Sequence, residues 1–165
     1  MNTSSRVTFP LSIYDRVLEF AGLAIVFANW ILIAVTYSKL PETVPVHFDA
    51  AGEANGFGTK NIILMLPAIA TGIFLLMTAL IRFPHIMNYP VRITDENAFV
   101  QYRLMTRMSR CIAFTIALFF GYIELQSIRV ALGRVERFGA IGSIIMTALI
   151  FIPVIYYRVK AYRNK

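Results

Sequence analysis

The chain has 165 residues, 58% of them hydrophobic against 15% charged, with a formal net charge of +7. A soluble domain typically has about 45–50% apolar and about 25% charged residues, so this balance excludes an ordinary water-soluble fold and points to lipid contact. The positive charge gathers between apolar stretches instead of spreading along a solvated face, which argues against a nucleic-acid binder, and the single cysteine, Cys111, leaves no intramolecular disulfide.

Four apolar runs approach the roughly 20 helical residues that cross a hydrocarbon core of about 30 Å. They cover 17–37, 61–81, 111–132 and 138–157. Backbone amides in lipid must be satisfied within the segment, so each run reads as a helix. The expectation is an all-α, polytopic membrane protein: one domain, 1–165, with four transmembrane helices in a bundle. The first run is too long for the core of a cleaved secretory signal and is read as a mature helix. Pro67 and Pro153 are expected to kink the second and fourth helices.

Lys and Arg are distributed unevenly about the spans. The amino-terminal tail (Arg6, Arg16), the second loop and the carboxyl tail hold eleven, against five in the first and third loops. Positive charge is retained on the cytoplasmic side, so both termini are expected there and the first and third loops outside. Tyr37, Tyr156 and Tyr157 near span ends fit an interfacial aromatic belt.

The first outer loop is dense in turn formers. Pro41 and Pro45 fix the backbone and remove donors, and Gly52, Gly56 and Gly58 permit unusual dihedrals before Lys60 enters the second span. A shaped loop packed on the helix ends is expected. Within it His47 and Asp49, with Glu42 or Glu53, offer nitrogen and oxygen to a divalent metal. One His and no Cys fall short of the usual four ligands, so His47 is only a weak metal candidate, and a hydrogen bond fixing the turn is the plainer role.

The second loop carries a helix start. Thr94 is followed by Asp95, Glu96 and Asn97, a cap with acidic residues in the first turn, and neither Pro nor Gly follows until Gly121. One helix is therefore expected from the cytoplasm into the third span. On it Arg103, Arg107 and Arg110 recur at spacings of four and three, a basic stripe suited to anionic headgroups or a simple positive-inside anchor.

Inside the spans the polar residues are few. Glu124 lies in the outward third of the third span, where a carboxyl must be protonated, paired or wet; Lys60, Lys39 and His47 are its candidate partners. Glu19, at the opposite end of its span, has Arg16 or Arg110 available. Asn29 is placed for an interhelical hydrogen bond or, less simply, for a ligand. Gly139, Ser143 and Thr147 put small side chains on one helix face for close packing within or between chains. His47 and His85 both fall outside the spans, and no phosphate-binding glycine loop is present, so neither an enzyme nor a bound cofactor is expected.

The pattern Leu40-Pro41-x-x-Val44-Pro45-x-His47-Phe48, with Gly52 and Gly58-Thr59-Lys60, resembles the uncharacterised membrane domain at the amino-terminal end of SdpI-type immunity proteins. Asn88-Tyr89-Pro90, Ile93-Thr94, Glu96-Asn97-Ala98 and Gln101-Tyr102 are similar to the stretch before the third span in small bacterial members. The likeness covers about 37–110. It implies a bacterial inner-membrane protein that binds or senses, in toxin-peptide immunity or envelope signalling, although SdpI-type proteins carry further helices. Membrane lipid, a protein partner or second copy, and a peptide ligand are the partners expected. A small accessory subunit of a larger complex is the alternative, and a transporter-like oligomer the third.

Overall fold

The structure is a computed structural model and describes residues 11–165; Arg6, counted above, lies outside the described residues. Helix α1 (Ile13–Thr36) runs through a short 3-10 turn into strands β1 (Thr43–Phe48) and β2 (Ala54–Thr59). A second 3-10 turn (Lys60–Leu64) leads to α2 (Met65–Leu80), and after a looped segment come α3 (Ala98–Ala131) and α4 (Ala140–Arg163). All four helical segments are long and apolar enough to cross a membrane.

Caps, not hydropathy, set the starts of α1 and α3. The Ser12 hydroxyl accepts from the Asp15 backbone N–H at 3.2 Å while the Asp15 carboxylate accepts from the Ser12 N–H at 3.0 Å, so α1 begins four residues before the expected span. At the other expected start, Thr94 and Asn97 bond reciprocally, side chain to backbone, at 2.9 and 3.3 Å, and the Ala98 N–H bonds the Thr94 carbonyl at 2.9 Å. The Thr94 hydroxyl also holds the Glu96 carboxyl below its usual range. The helix that follows has 34 residues, about 51 Å at 1.5 Å per residue, and exceeds the hydrocarbon thickness by a wide margin.

Pro67 departs from expectation. It occupies the third position of α2, where its missing N–H costs nothing, and the turn before it is 3-10; a mid-helix kink is not what it makes. Pro153 lies inside α4, where it removes the donor that would bond Leu149.

Helix α3 is the axis of the bundle, packing on α1, α2 and α4, whereas α4 packs chiefly on α3. Contacts rise in step along α1 and α3, from Asp15 with Arg107 to Asn29 with Ala117, so these two helices run parallel. The buried positions of α1 (Asp15, Gly22, Val26, Asn29, Ile33) follow the three-to-four spacing of one helical face. Three apolar clusters fill the bundle. Ile33, Leu40, Val44, Ile63 and Ile128 lie at the hairpin end, Val26, Phe74, Ala113 and Ala117 in the middle, and Leu104, Cys111, Tyr157 and Ala161 toward the chain termini.

Outward, the surface is greasy. Phe20, Phe27, Ile31, Ile141, Ile144 and Ile155 are each at least 60% exposed. A continuous belt of this kind is untenable in water and is satisfied by lipid tails, so the protein is a multi-pass membrane bundle.

The connection between α1 and α2, expected as a shaped loop in an all-α protein, is an antiparallel β-hairpin. Pro45 pairs with Phe57, His47 with Gly56 and Phe48 with Ala54, so each strand carries one extra residue, Val46 on β1 and Asn55 on β2. Two opposed bulges re-aim the side chains. Proline in one strand and alternate glycines in the other hide the pairing from any hydropathy pattern.

Candidate functional site

Two places gather polar side chains: the hairpin end and the seam between α1 and α3. At the hairpin tip, the Asp49 carboxylate accepts from the backbone N–H groups of Ala51 and Glu53, both at 2.9 Å, and closes the turn. Gly52 takes φ +81, a left-handed conformation that glycine adopts freely. Its carbonyl accepts from the Phe138 N–H at 2.8 Å, and a Cβ on Gly52 would lie 2.3 Å from the Phe138 carbonyl oxygen. Phe48 packs on Phe138 with ring centroids 4.7 Å apart, and Arg137 pairs with Glu53 at 2.9 Å. The hairpin is thus clamped to the connection between α3 and α4. At its base Lys60 pairs with Glu42 at 2.7 Å and sits over the Tyr37 ring, while Tyr37 bonds Asn61.

His47 does not meet a backbone carbonyl. Its Nδ1 bonds the side-chain oxygen of Asn55, brought opposite by the bulges, and Gly56 leaves room for its Cβ. Gly58 makes the same allowance for Val46 and Ile62, and Pro45 holds the β1 position opposite Phe57. Pro41 precedes β1 and is exposed. Glu42 and Glu53 are engaged by Lys60 and Arg137, and among the described residues no three His, Cys, Asp or Glu side chains stand close enough to share a metal ion.

The seam corrects the basic stripe. Arg107 bonds Asp15 and Ser12, both at 2.9 Å, and Arg110, 6% exposed, bonds Glu19 at 2.8 Å; both are engaged within the bundle, and of the three Arg103 alone is exposed. Spacings of three and four place all three on one face of α3, and that face is the one against α1. Because the helices are parallel, Arg103, four residues before Arg107, lies level with the very start of α1 and stays exposed. Glu19 accordingly takes the partner across the bundle, one of its two expected choices.

Midway, the Asn29 side-chain amide donates to the Ala117 carbonyl at 3.3 Å, and its oxygen lies against Gly121, where a Cβ would approach to 2.5 Å. Asn29 joins helix to helix there. The expected small-residue face is only partly used: Gly139 and Gly142 admit the Tyr122 hydroxyl, which donates to the Gly139 carbonyl at 2.8 Å, while Thr147 is exposed and bonds its own helix.

Glu124 is fully buried, and neither of its oxygens has a hydrogen-bond partner. Lys60 is occupied by Glu42 and His47 by Asn55, so those two expected pairings do not form, and Lys39 does not reach it either. Helix α3 turns Glu124 inward between the Ile128 and Ala117 levels, away from the hairpin's cations.

Two residues named in the sequence take roles that it did not suggest. Gln101, 1% exposed, donates to the carbonyls of Ala161 and Asn164 at 2.9 and 2.8 Å and pins the end of α4 to α3. Cys111 lies between the hydroxyls of Tyr14, at 3.5 Å, and Tyr157, at 4.0 Å. A Ser-x-x-Asp cap at residues 12–15 was the only local signal on this seam. Outside the spans, burial pushes the Tyr89 hydroxyl up, and it donates to the Pro84 carbonyl at 2.7 Å.

The family match spans the hairpin. Residues 24–71 match a family described as Domain of unknown function (DUF1648), a stretch from the middle of α1 through both strands into α2. The chain is 43% identical over 84 residues to an uncharacterised protein of Archaeoglobus fulgidus, an alignment covering 49% of this chain and 45% of that protein. The chain thus spans less than half the length of that relative. No solved structure matches. The family match therefore covers the hairpin with the second half of α1 and the first turns of α2, a region of unknown function in that family.

Proposed function

We propose that the protein is a binding or sensing component of a bacterial inner membrane, with both termini in the cytoplasm, that presents the hairpin outward to a peptide, lipid or protein partner. One observation carries this reading: the hairpin is held at tip and base, yet Val46, His47 and Phe57 remain exposed on it, Phe57 by 63%. A preorganised surface with an uncovered aromatic loses little entropy on capturing a partner. The excess of Lys and Arg on the side of the termini supports the orientation. Toxin-peptide immunity or envelope signalling is the concrete form, supported by the likeness of the hairpin sequence to SdpI-type proteins.

Deleting the gene and scoring survival against a panel of envelope-active peptides tests it. Immunity predicts hypersensitivity to at least one peptide, rescued by the wild-type chain and not by a membrane-inserted Phe57→Ser variant. Unchanged tolerance across the panel removes immunity. Tags at the two ends, if protected on opposite sides of the membrane, remove the orientation.

A small accessory subunit is the second reading, favoured by α4, whose most apolar stretch is only 6% buried. Purification in mild detergent separates the two: a stoichiometric larger protein supports the subunit, and its absence supports the binding protein.

A further inference from the structure

We propose that Glu124 is a proton-binding site inside the bundle, its carboxyl held as the neutral acid and its proton released to water only when the hairpin-end cluster above it opens. The site is independent of what the hairpin binds. Glu124 is 0% exposed and both oxygens are unpartnered. An ionised carboxylate needs donors, a cation or water on its lone pairs, and in hydrocarbon surroundings an uncompensated one is far costlier than the neutral acid.

Every element around it is empty of charge at this level. Helix α1 carries no titratable group between Glu19 and Tyr37, and the α2 segment none between Lys60 and Arg82. On α4 there is none between Arg137 and Tyr156, and on the hairpin strands His47 stands alone, bonded to Asn55. On α3 itself only Tyr122 lies between Cys111 and Arg129, with its hydroxyl turned to Gly139. An alkali or alkaline-earth cation would need several oxygen ligands, and no second acid is present. The Asn29 amide is committed to Ala117. The proton is the ligand that fits.

The site also has a readout. Ile128 lies one turn along α3 from Glu124 on the same face, and it packs with Ile33, Leu40, Ile63 and Val44, the last on β1 and 1% exposed. That cluster stands between the carboxyl and the water of the hairpin end. When Glu124 gives its proton to water, leaving a carboxylate and hydronium, hydration of the carboxylate has to part this cluster and loosen the seat of β1.

Infrared spectroscopy on the full chain in lipid nanodiscs tests the proposal, with glutamate carboxyls labelled by 13C to separate them from aspartate and variants at Glu124 to assign the signal among the six glutamates. The expected result is a protonated-carboxyl stretch that shifts on deuteration, is absent in Glu124→Gln, moves in frequency in Glu124→Asp, and vanishes over about two pH units as a single proton is lost. Amide exchange at β1, corrected for its intrinsic pH dependence, should accelerate across the same interval in the wild type and not in Glu124→Gln. A spectrum with no such stretch between about pH 5 and about pH 9 overturns the site, as does a stretch that survives in Glu124→Gln or is lost on adding sodium at constant pH. Unchanged β1 exchange across the transition overturns the coupling to the hairpin.

Discussion

Replacing Gly52 by alanine should release the hairpin from the bundle. Alanine at φ +81 costs about 1–2 kcal/mol in backbone strain alone. Its Cβ would also come within 2.3 Å of the Phe138 carbonyl oxygen, backbone that cannot rotate away, so the tip must withdraw. Withdrawal forfeits the hydrogen bond from Phe138, worth about 1 kcal/mol, and the contact of Phe48 with Phe138, worth about 0.5–1.5 kcal/mol. The exposed pair of Arg137 and Glu53 adds little. Gly133, at φ +65 with nothing within 4 Å of its Cβ position, supplies the control, because alanine there pays only the strain. Hydrogen exchange of β1 and β2 amides in detergent micelles reads the difference. Docking worth about 2 kcal/mol predicts roughly thirtyfold faster hairpin exchange in Gly52→Ala than in Gly133→Ala. Equal exchange in the two variants would refute the clamp.

The ion pair of Arg110 and Glu19 gives a second test. Arg110→Leu alone leaves an acid unpaired whose side chain is 33% exposed and should cost about 1–3 kcal/mol, less than for a fully buried pair, while Glu19→Gln with Arg110→Leu should recover much of it, as read by thermal unfolding in one detergent. Gly121→Ala forces a methyl onto the Asn29 oxygen and should destabilise by about 1–3 kcal/mol. In an Asn29→Ala background that loss should shrink, and an undiminished loss in a double-mutant cycle would separate the two residues. Thr94→Ala should cost about 1 kcal/mol at the start of α3. The same change should let Glu96 titrate at higher pH, since the hydroxyl that holds its carboxyl low is gone, and NMR titration of that carboxyl checks the direction. The hydroxyl's support of Glu96 is present at neutral pH and fades as pH falls through the folded-state value, so in acid the gap between wild type and variant should narrow to the loss of the cap on the Asn97 N–H alone.

Hydropathy and capping chemistry, both read off the linear chain, were enough for the membrane class, the four helices and the unbroken passage of α3 out of the apolar layer. Those properties depend on residues near one another in sequence: about 20 apolar side chains to cross lipid, Thr94 and Asn97 to begin a helix. What faced what depended on packing. Arg107 and Arg110 share a face with Arg103, but only the parallel placement of α1 turns two of them inward to Asp15 and Glu19. The hairpin escaped notice because its strands are defined by bulged pairing across Gly56 and Pro45 and not by alternation. Glu124 was visible as an acid in a span, yet its isolation followed from its full burial in the bundle while Lys60 and His47 found partners of their own in the hairpin. Charge pairing acts over a few ångströms in space, and distance along the chain carries no record of it.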